Sequence, residues 1–306
     1  LGRIKHLKKE NPSVIVCIGG CMSQEENVAN ELKQRHPYVN IVFGTHNIHE
    51  LGNMLLEAKA GKQDIEVYSE EGDVYEHVTY KRASHITAWV NIIYGCDKFC
   101  TYCIVPYTRG KERSRKLEEI VKEVEKLKEE GYQEVTLLGQ NVNAYGHDLP
   151  ESVAFSDLLE AVAQTNIPRI RFVTSHPWNF TDKMIDVIAH YDNIMPYIHL
   201  PLQSGSDRIL KLMGRRYTKE EYITLFKKMK ERIPRVAITT DIIVGFPGET
   251  DDDFKNTLDV VDTCQFDGAY TFIFSPREGT PAAKMKDETP LVEKEERLQI
   301  LNQKIN

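Results

Sequence analysis

From residue 85 onward, the sequence alternates short apolar runs with amphipathic helical stretches about six times. The apolar runs cover residues 86–93, 134–138, 169–173, 195–200, 236–244 and 268–274. The helical stretches between them lie at 117–127, 155–164, 181–190, between 200 and 232, and at 250–263. A strand followed by a helix, repeated in this way, predicts parallel strands joined by right-handed crossovers. The pattern therefore indicates an α/β fold of the βα-barrel kind, in which the loops after the strands meet at one rim.

The residues before this series predict a second, smaller unit. Residues 13–60 contain two strand–helix patterns, with strands at 14–16 and 39–43 and helices at 23–35 and 45–60. We expect Ser23 to open the first helix through a capping-box sequence. Residues 69–84 are charged and turn-rich, which is typical of a linker. The sequence thus predicts part of a small α/β domain at 1–68, a linker at 69–84 and a core domain at 85–306.

Three cysteines, Cys96, Cys100 and Cys103, lie on one short loop after the first strand of the series. Three thiolates can hold three irons of a four-iron cluster and leave the fourth iron open to another ligand. A structural zinc site usually has four ligands in paired couples, and six cysteines in 306 residues are sparse for a disulfide framework. A redox Cys-x-x-Cys would not need Cys96. Spacing alone favours the open iron–sulfur site and leaves zinc, redox and buried-thiol interpretations as alternatives.

The cysteine spacing, with the aromatic Tyr102 before the last cysteine, resembles the radical S-adenosylmethionine superfamily. The longer run 94–110 (YGCDKFCTYCIVPYTRG) and the segments 138–146 (LGQNVNAYG) and 199–206 (HLPLQSGS) are similar to its methylthiotransferase branch. The resemblance extends over essentially the whole chain. It implies an incomplete (βα)6 TIM-like radical-SAM barrel, open at one side toward a macromolecular substrate, and preceded by part of a small α/β methylthiotransferase N-terminal domain.

The same resemblance implies a tRNA-modifying enzyme with two [4Fe–4S] clusters. Cys96, Cys100 and Cys103 would bind one cluster, and S-adenosylmethionine would chelate its fourth iron. Reductive cleavage of that cofactor would give a radical that activates the C2–H bond of N6-isopentenyladenosine beside the anticodon. Sulfur would come from the second cluster, and a second S-adenosylmethionine would supply the methyl group.

Three alternatives to this function stay open. Related methylthiotransferases act on threonylcarbamoyladenosine in tRNA or on a ribosomal-protein aspartate. From another class, the chain would be a zinc-bearing RNA-binding module with no catalysis.

For the second cluster, the resemblance assigns Cys21 as the last of three ligands and leaves Cys17 without a role. The other two ligands would lie upstream of Leu1, so we expect this cluster to be incomplete in the chain. The start lacks both an initiator Met and an apolar signal core, which is typical of a truncated start. We also expect the family's small C-terminal RNA-binding β domain to be missing after Asn306.

Candidate ligands of S-adenosylmethionine come from the loops that follow the strands and from their carboxyl ends. They are Tyr102, Gly139, Gln140, Asn141, Ser175, Gln203, Ser204 and Asp241. Tyr102 would lie against the adenine or pack under the loop, and the loop at Gly139 would otherwise be an ordinary strand-end turn. A carboxylate in an apolar strand, as at Asp241, needs a specific partner or faces the barrel mouth. A hydrolytic triad of Ser175, His176 and Asp241 is disfavoured because no Gly-x-Ser-x-Gly elbow accompanies it.

Composition limits partners and location. A net charge of −7 does not indicate nucleic-acid binding by itself. Five basic residues nevertheless follow the cysteine loop, either as a phosphate-attracting patch or as a solvated face: Arg109, Lys111, Arg113, Arg115 and Lys116. No uninterrupted apolar run of about 18 residues occurs, which excludes a spanning helix, and cluster thiolates need a reducing compartment, which indicates cytoplasm. The expected partners are tRNA and an electron donor of flavodoxin or ferredoxin type, and we expect a monomer.

Overall fold

The computed structural model describes residues 1–62, 64–66, 74 and 81–305. It divides into two compact units, one formed by Leu1–Tyr75 and Val105–Lys111 and the other by Glu76–Ile104 and Glu112–Asn306. Most of the predicted linker at 69–84 lies outside the described residues. The domain boundaries at 68 and 85 therefore stay predictions.

The first unit contains a three-stranded parallel sheet. Its strands β1 (Cys17–Gly19), β2 (Ile41–Phe43) and β3 (Asp64–Glu66) lie in the order β1-β2-β3. Its helices are α1 (Gly2–Glu10), α2 (Glu26–Arg35), α3 (Leu51–Lys59) and α4 (Val105–Arg109). Val39, Ile41 and Val42 are fully buried between the sheet and helices α2 and α3, so the β2 region is the core of this unit.

All four predicted elements of the first unit have different bounds in the structure: the second strand covers Ile41–Phe43 instead of 39–43, and the second helix covers Leu51–Lys59 instead of 45–60. The first strand begins at Cys17, three residues after the predicted start. Helix α2 begins at Glu26, because the Ser23 hydroxyl donates to the carbonyls of Gly20 (3.0 Å) and Phe43 (2.7 Å) and does not cap the helix. The predicted capping box at Ser23 is therefore wrong.

The second unit contains eight strands and seven helices among its described residues. The strands are β4 (Thr87–Asn91), β5 (Ile93–Tyr94), β6 (Arg113–Ser114), β7 (Glu134–Leu138), β8 (Arg169–Phe172), β9 (Tyr197–His199), β10 (Ala237–Val244) and β11 (Gly268–Ile273). The helices are α5 (Leu117–Glu129), α6 (Phe155–Gln164), α7 (Asp182–His190), α8 (Asp207–Leu212), α9 (Lys219–Arg232), α10 (Asp251–Cys264) and α11 (Leu291–Ile305).

Six of these strands run parallel in chain order. Strands β4, β7 and β8 form one ladder, and β9, β10 and β11 form another. An isolated parallel bridge between Ile170 in β8 and Ile194, three residues before β9, connects the first ladder to the segment that leads into the second. No pairing between β4 and β11 occurs among the described residues, so this arc is open. The alternation predicted from the sequence is present, and the loops after the strands share one rim.

Local sequence explains why the helices begin where they do. Thr181, Thr218 and Thr250 each accept a hydrogen bond from the backbone N–H three residues on, which satisfies a donor that the first helical turn leaves free. Helices α5 to α7 bury one apolar stripe each against the sheet, shown by Ile120 and Val124 in α5. Within the described residues, no helix is both long enough and apolar enough to cross a membrane.

Candidate functional site

The cysteine loop follows β5 and is anchored at both ends. The backbone N–H of Gly95 donates to Gln140 Oε1 at 2.7 Å. Thr101 donates from its N–H to the Met213 carbonyl (2.9 Å) and from its hydroxyl to the Leu212 carbonyl (2.8 Å), at the end of α8. The loop that carries the cysteines is thus held by the segments that follow β7 and α8.

None of the three loop thiols forms a disulfide; Cys100 is buried, and Cys96 and Cys103 are half-buried. The pKa of Cys96 is raised to about 12, chiefly by burial; a hydrogen bond from the Lys98 backbone opposes this increase, and the Glu112 carboxylate and the neighbouring thiols add to it. Metal ligation requires thiolates, so loading a metal here must displace a proton from Cys96. The thiol stays protonated until a cation is present.

Zinc and a four-iron cluster make different demands on the three loop thiols. Among the described residues, no three His, Cys, Asp or Glu side chains converge closely enough to hold one metal ion. Zinc–sulfur bonds of about 2.3 Å require thiolates within roughly 4 Å of one another. A four-iron cluster places each cysteine on a different iron and accepts a wider separation.

A buried arginine lies beside the cysteines. Arg215 is 8% exposed, and its Nη1 lies 3.5 Å from Cys100 Sγ. Its Nη2 donates to the Pro201 carbonyl (3.1 Å) and its Nε to the Tyr217 hydroxyl (3.0 Å). Within the part of the chain that the structure describes, none of its hydrogen bonds reaches a carboxylate. A buried cation without an anionic partner is costly, so this setting fits anionic sulfur ligands.

Four buried side chains near the rim have polar atoms without a hydrogen-bond partner among the described residues. The atoms are Asn141 Oδ1, Ser175 Oγ, Gln203 Oε1 and both ring nitrogens of His176. They follow β7, β8 and β9, three neighbouring strands. Leaving such an atom unpaired costs about 1–3 kcal/mol, so their accumulation at one rim indicates a site for a polar ligand. Hydroxyl, amide and imidazole groups suit the ribose, amino and carboxylate groups of S-adenosylmethionine.

Gly139 and Gln140 both have structural roles that do not depend on a bound cofactor. A Cβ on Gly139 would lie 2.3 Å from Ile93 Cγ2, so close packing against β5 explains this glycine without a cofactor. The Gln140 side chain accepts from Gly95, which makes it a support of the cysteine loop. Their contact with S-adenosylmethionine stays a prediction.

Some polar residues of the loop after β9 form hydrogen bonds within the fold, and one has a buried side-chain atom without a partner among the described residues. Gln203 has a left-handed backbone (φ 69°), with its N–H donating to the Asp241 carbonyl at 2.8 Å. Ser204 is fully buried, and its hydroxyl accepts from the N–H of Ser206 at 3.2 Å. Ser206 caps α8 and donates to Asp253. Of the predicted ligands in this loop, Gln203 has an unpaired buried side-chain atom, and Ser204 is bonded within the fold.

Asp241 has the specific partner that its place in a strand requires. His199 Nε2 lies 3.2 Å from Asp241 Oδ2, and His199 Nδ1 lies 3.0 Å from the Thr239 hydroxyl. His176 has no such contact with Asp241 or Ser175 among the described residues. A Ser175–His176–Asp241 triad is therefore excluded.

Tyr102 packs under the loop. It is half-buried against an apolar cluster that contains Ile209, Met213 and Phe246. Burial raises the pKa of its hydroxyl, against a lowering effect of Arg215, so the side chain is neutral. Packing accounts for the aromatic residue here, and contact with adenine stays a prediction.

The inner face of the sheet carries exposed aromatic rings that the sequence patterns did not single out. Trp89 in β4 is 62% exposed, between the buried Ala88 and Val90. Tyr270 and Phe272 in β11 are 59% and 51% exposed, and the Tyr270 ring lies 5.9 Å from that of His199. Alternation of side chains along a strand places these rings on the face opposite the helices.

Cys21, the predicted ligand of a second cluster, belongs to the first unit. It is half-buried in the turn after β1, and Cys17 lies exposed on β1 itself. The role of Cys21 stays a prediction. Cys264 is buried at the end of α10, where burial raises its pKa to about 11, as expected of a core thiol.

Arg115 does not contribute to a solvated basic patch. It is 6% exposed, and its Nη1 donates to Glu123 (2.7 Å) and to the Asn91 carbonyl (2.9 Å). Arg115 joins β4 to α5 through these two contacts. The argument that the five basic residues after the cysteine loop form a phosphate-attracting patch is therefore weaker by one residue.

The chain is similar to known proteins over its whole length. The model of the radical SAM superfamily matches residues 90–261. Proteins named tRNA-2-methylthio-N(6)-dimethylallyladenosine synthase, from Staphylococcus epidermidis and Staphylococcus aureus, are 57% identical over the whole chain. The chain spans 60% of the length of these relatives.

Two solved structures share the fold at low sequence identity. A radical S-adenosylmethionine methyltransferase, TsrM from Kitasatospora setae, aligns with a TM-score of 0.69 and 16% identity over 92% of this chain and 60% of its own. Coproporphyrinogen III oxidase (HemN) from Escherichia coli aligns with a TM-score of 0.51 and 16% identity over 72% of this chain and 53% of its own. These likenesses concern the fold alone, and they confirm the predicted incomplete βα barrel.

Proposed function

The chain belongs to the radical SAM superfamily, and from that premise we propose that the protein carrying it is a tRNA methylthiotransferase. Its reaction would add sulfur and a methyl group at C2 of N6-isopentenyladenosine next to the anticodon. The names of the relatives that are 57% identical over the whole chain support this substrate.

One observation carries the proposal. Three thiols outside any disulfide, Cys96, Cys100 and Cys103, share a loop beside the buried Arg215, whose hydrogen bonds reach no carboxylate among the described residues, and at the rim where polar atoms without a partner in that part of the chain accumulate. In this proposal the thiolates hold a [4Fe–4S] cluster with one open iron, and S-adenosylmethionine binds there. When bound, the cluster supplies the electron that cleaves this cofactor; the protein groups position it and exclude water.

The other residues of the rim would then have distinct tasks. Asn141, Ser175 and Gln203 would use their unpaired atoms to bind S-adenosylmethionine. Gln140 would hold the cysteine loop through Gly95.

We place the nucleoside on the inner sheet face. The exposed rings of Trp89, Tyr270 and Phe272 offer stacking surfaces for an extruded base, and stacking on an aromatic ring stabilises binding by about 1–3 kcal/mol per base. Cys21 would be a ligand of a second cluster. The electron donor would be a flavodoxin or ferredoxin, and the location a reducing compartment, the cytoplasm, because cluster thiolates require it.

RNA from cells that lack the gene tests the substrate. Mass spectrometry should show loss of the methylthio group from isopentenyladenosine, and complementation by the intact gene should restore it. Unchanged methylthio-isopentenyladenosine, with loss from threonylcarbamoyladenosine or from a ribosomal-protein aspartate, would favour a related methylthiotransferase.

Anaerobic reconstitution tests the class of protein. Iron and sulfide should bind, and S-adenosylmethionine should yield methionine and deoxyadenosine after reduction. Stoichiometric zinc, no sulfide and no cleavage would leave the RNA-binding module as the better account.

A further inference from the structure

Arg215 holds a fixed position against one sulfur of the cysteine loop. Its Nη1 lies 3.5 Å from Cys100 Sγ, while Nη2 and Nε are held by the Pro201 carbonyl and the Tyr217 hydroxyl. Tyr217 is fixed in turn, since its hydroxyl donates to the carbonyl of Leu202 at 2.9 Å. The guanidinium is thus locked between the loop after β9 and Cys100, with no carboxylate partner among the described residues.

We propose that Arg215 is a positioning residue that sets the reduction potential of the cluster on Cys96, Cys100 and Cys103. This inference rests on the proposed function, because it requires those thiolates to be cluster ligands. Hydrogen bonds to the sulfurs, net charge and solvent exposure control the potentials of iron–sulfur clusters. Arg215 combines two of these controls, a hydrogen-bond donor and a permanent positive charge, inside a buried site where charges are poorly screened.

The electron balance fixes the direction of the effect. One electron, supplied by dithionite in the experiment, enters the oxidised cluster, and the reduced form carries one more negative charge. The Arg215 cation stabilises the reduced form more than the oxidised form. Removing the cation should therefore make the cluster harder to reduce.

Arg215→Gln removes the charge and keeps a polar group of similar length, and Arg215→Lys keeps the charge but loses the fixed guanidinium geometry. Arg216→Gln is the matched control, because Arg216 is the exposed next residue and loses the same charge. Each variant is made in the full-length protein, loaded anaerobically, and titrated under electron paramagnetic resonance. The titration follows the signal that S-adenosylmethionine alters, which belongs to the cluster with an open iron.

We expect Arg215→Gln to lower the ratio of reduced to oxidised cluster at least tenfold at a fixed potential. For a one-electron couple, a tenfold change corresponds to a midpoint potential about 59 mV more negative. Arg215→Lys should fall between it and the wild type, and Arg216→Gln should match the wild type. If Arg215→Gln does not load, a lowered midpoint in Arg215→Lys supports the inference. The inference is overturned if every Arg215 variant that binds the cluster has the midpoint potential of the wild type. It is also overturned if Arg216→Gln shifts the midpoint potential as much as the Arg215 variants do.

The two proposals fail in different ways. If the wild-type protein shows no cluster on this loop, the proposed function fails. If the wild type binds the cluster and cleaves S-adenosylmethionine but the Arg215 variants keep its potential, only the role of Arg215 fails.

Discussion

Replacing His176 with phenylalanine should remove a pH-dependent loss of stability from the second unit. His176 is 6% exposed, and neither ring nitrogen has a hydrogen-bond partner among the described residues. Its ring packs edge-on against Trp178 and Tyr217, with centroids 5.5 and 6.1 Å away. Burial, and then the cations Arg215 and Lys98, lower the pKa of His176 from 6.5 to about 2. A phenylalanine ring can keep the packing and cannot be protonated.

The magnitude follows from proton linkage. The folded protein keeps His176 neutral down to about pH 2, whereas the unfolded chain binds a proton below about pH 6.5. The stability that depends on the neutral ring is thus complete above pH 6.5 and falls as the pH drops toward the folded pKa. Each pH unit is worth about 1.36 kcal/mol, so lowering the pH from about 7.5 to about 5 should cost the wild type about 2 kcal/mol through this one group.

Urea unfolding at the two pH values measures this loss. Both tryptophans of the chain, Trp89 and Trp178, lie in the second unit, so their fluorescence reports on that unit. The wild type should lose about 2 kcal/mol more than His176→Phe between the two pH values. His190→Phe, at an exposed position, should keep the wild-type pH dependence. An identical loss in wild type and His176→Phe would refute the reasoning.

Three further changes test the site. Gln140→Ala removes the acceptor of the Gly95 N–H, which costs about 1–3 kcal/mol, so this variant should retain less iron per chain than the wild type. Gln133→Ala, at an exposed position, should retain as much iron as the wild type. Equal iron retention in the two variants would contradict the role of Gln140 as a support of the cysteine loop. Anaerobic loading should bind more iron and sulfide at about pH 9 than at about pH 7, because Cys96, with its pKa near 12, must lose a proton; loading independent of pH would contradict this. Tyr270→Ala should weaken tRNA modification about tenfold or more with deoxyadenosine formation unchanged, and full modification would remove the ring from the substrate site.

The sequence predicted the helices and strands of the second unit well where the periodicity was strong. Helix α6 occupies 155–164 and β7 occupies 134–138, as predicted. The apolar residues of α6 recur at helical spacing, and the central residues of β7 form one continuous buried run, so the sequence pattern defines both ends of each element. Helix α11 was not predicted, since its mixed charges give a weak pattern and few of its residues are buried. Ser23 misled the prediction because its hydroxyl bonds to the distant Phe43 carbonyl.

The candidate cluster ligands could be named from the sequence, whereas the residues that surround them could not. The three cysteines lie close together in the sequence, so their spacing alone predicted an iron–sulfur site. Arg215 follows Cys100 by 115 positions and meets it only because the connection between α8 and α9 lies against the loop after β5. Asp241 was expected to need a partner, but only the register of β9 beside β10 identifies that partner as His199. Contacts of this kind depend on the tertiary fold and leave no local pattern.

The proposal that Cys96, Cys100 and Cys103 hold a cluster with one open iron can be tested most directly by spectroscopy on the anaerobically loaded protein. S-Adenosylmethionine labelled with magnetic isotopes in its amino and carboxylate groups is added to the reduced cluster, and hyperfine coupling to the labels is measured. We predict coupling to both labels in the wild type and its absence after any one of the three cysteines is changed to alanine. A loaded cluster that shows no coupling, with every iron already bound by a protein side chain, would contradict the account.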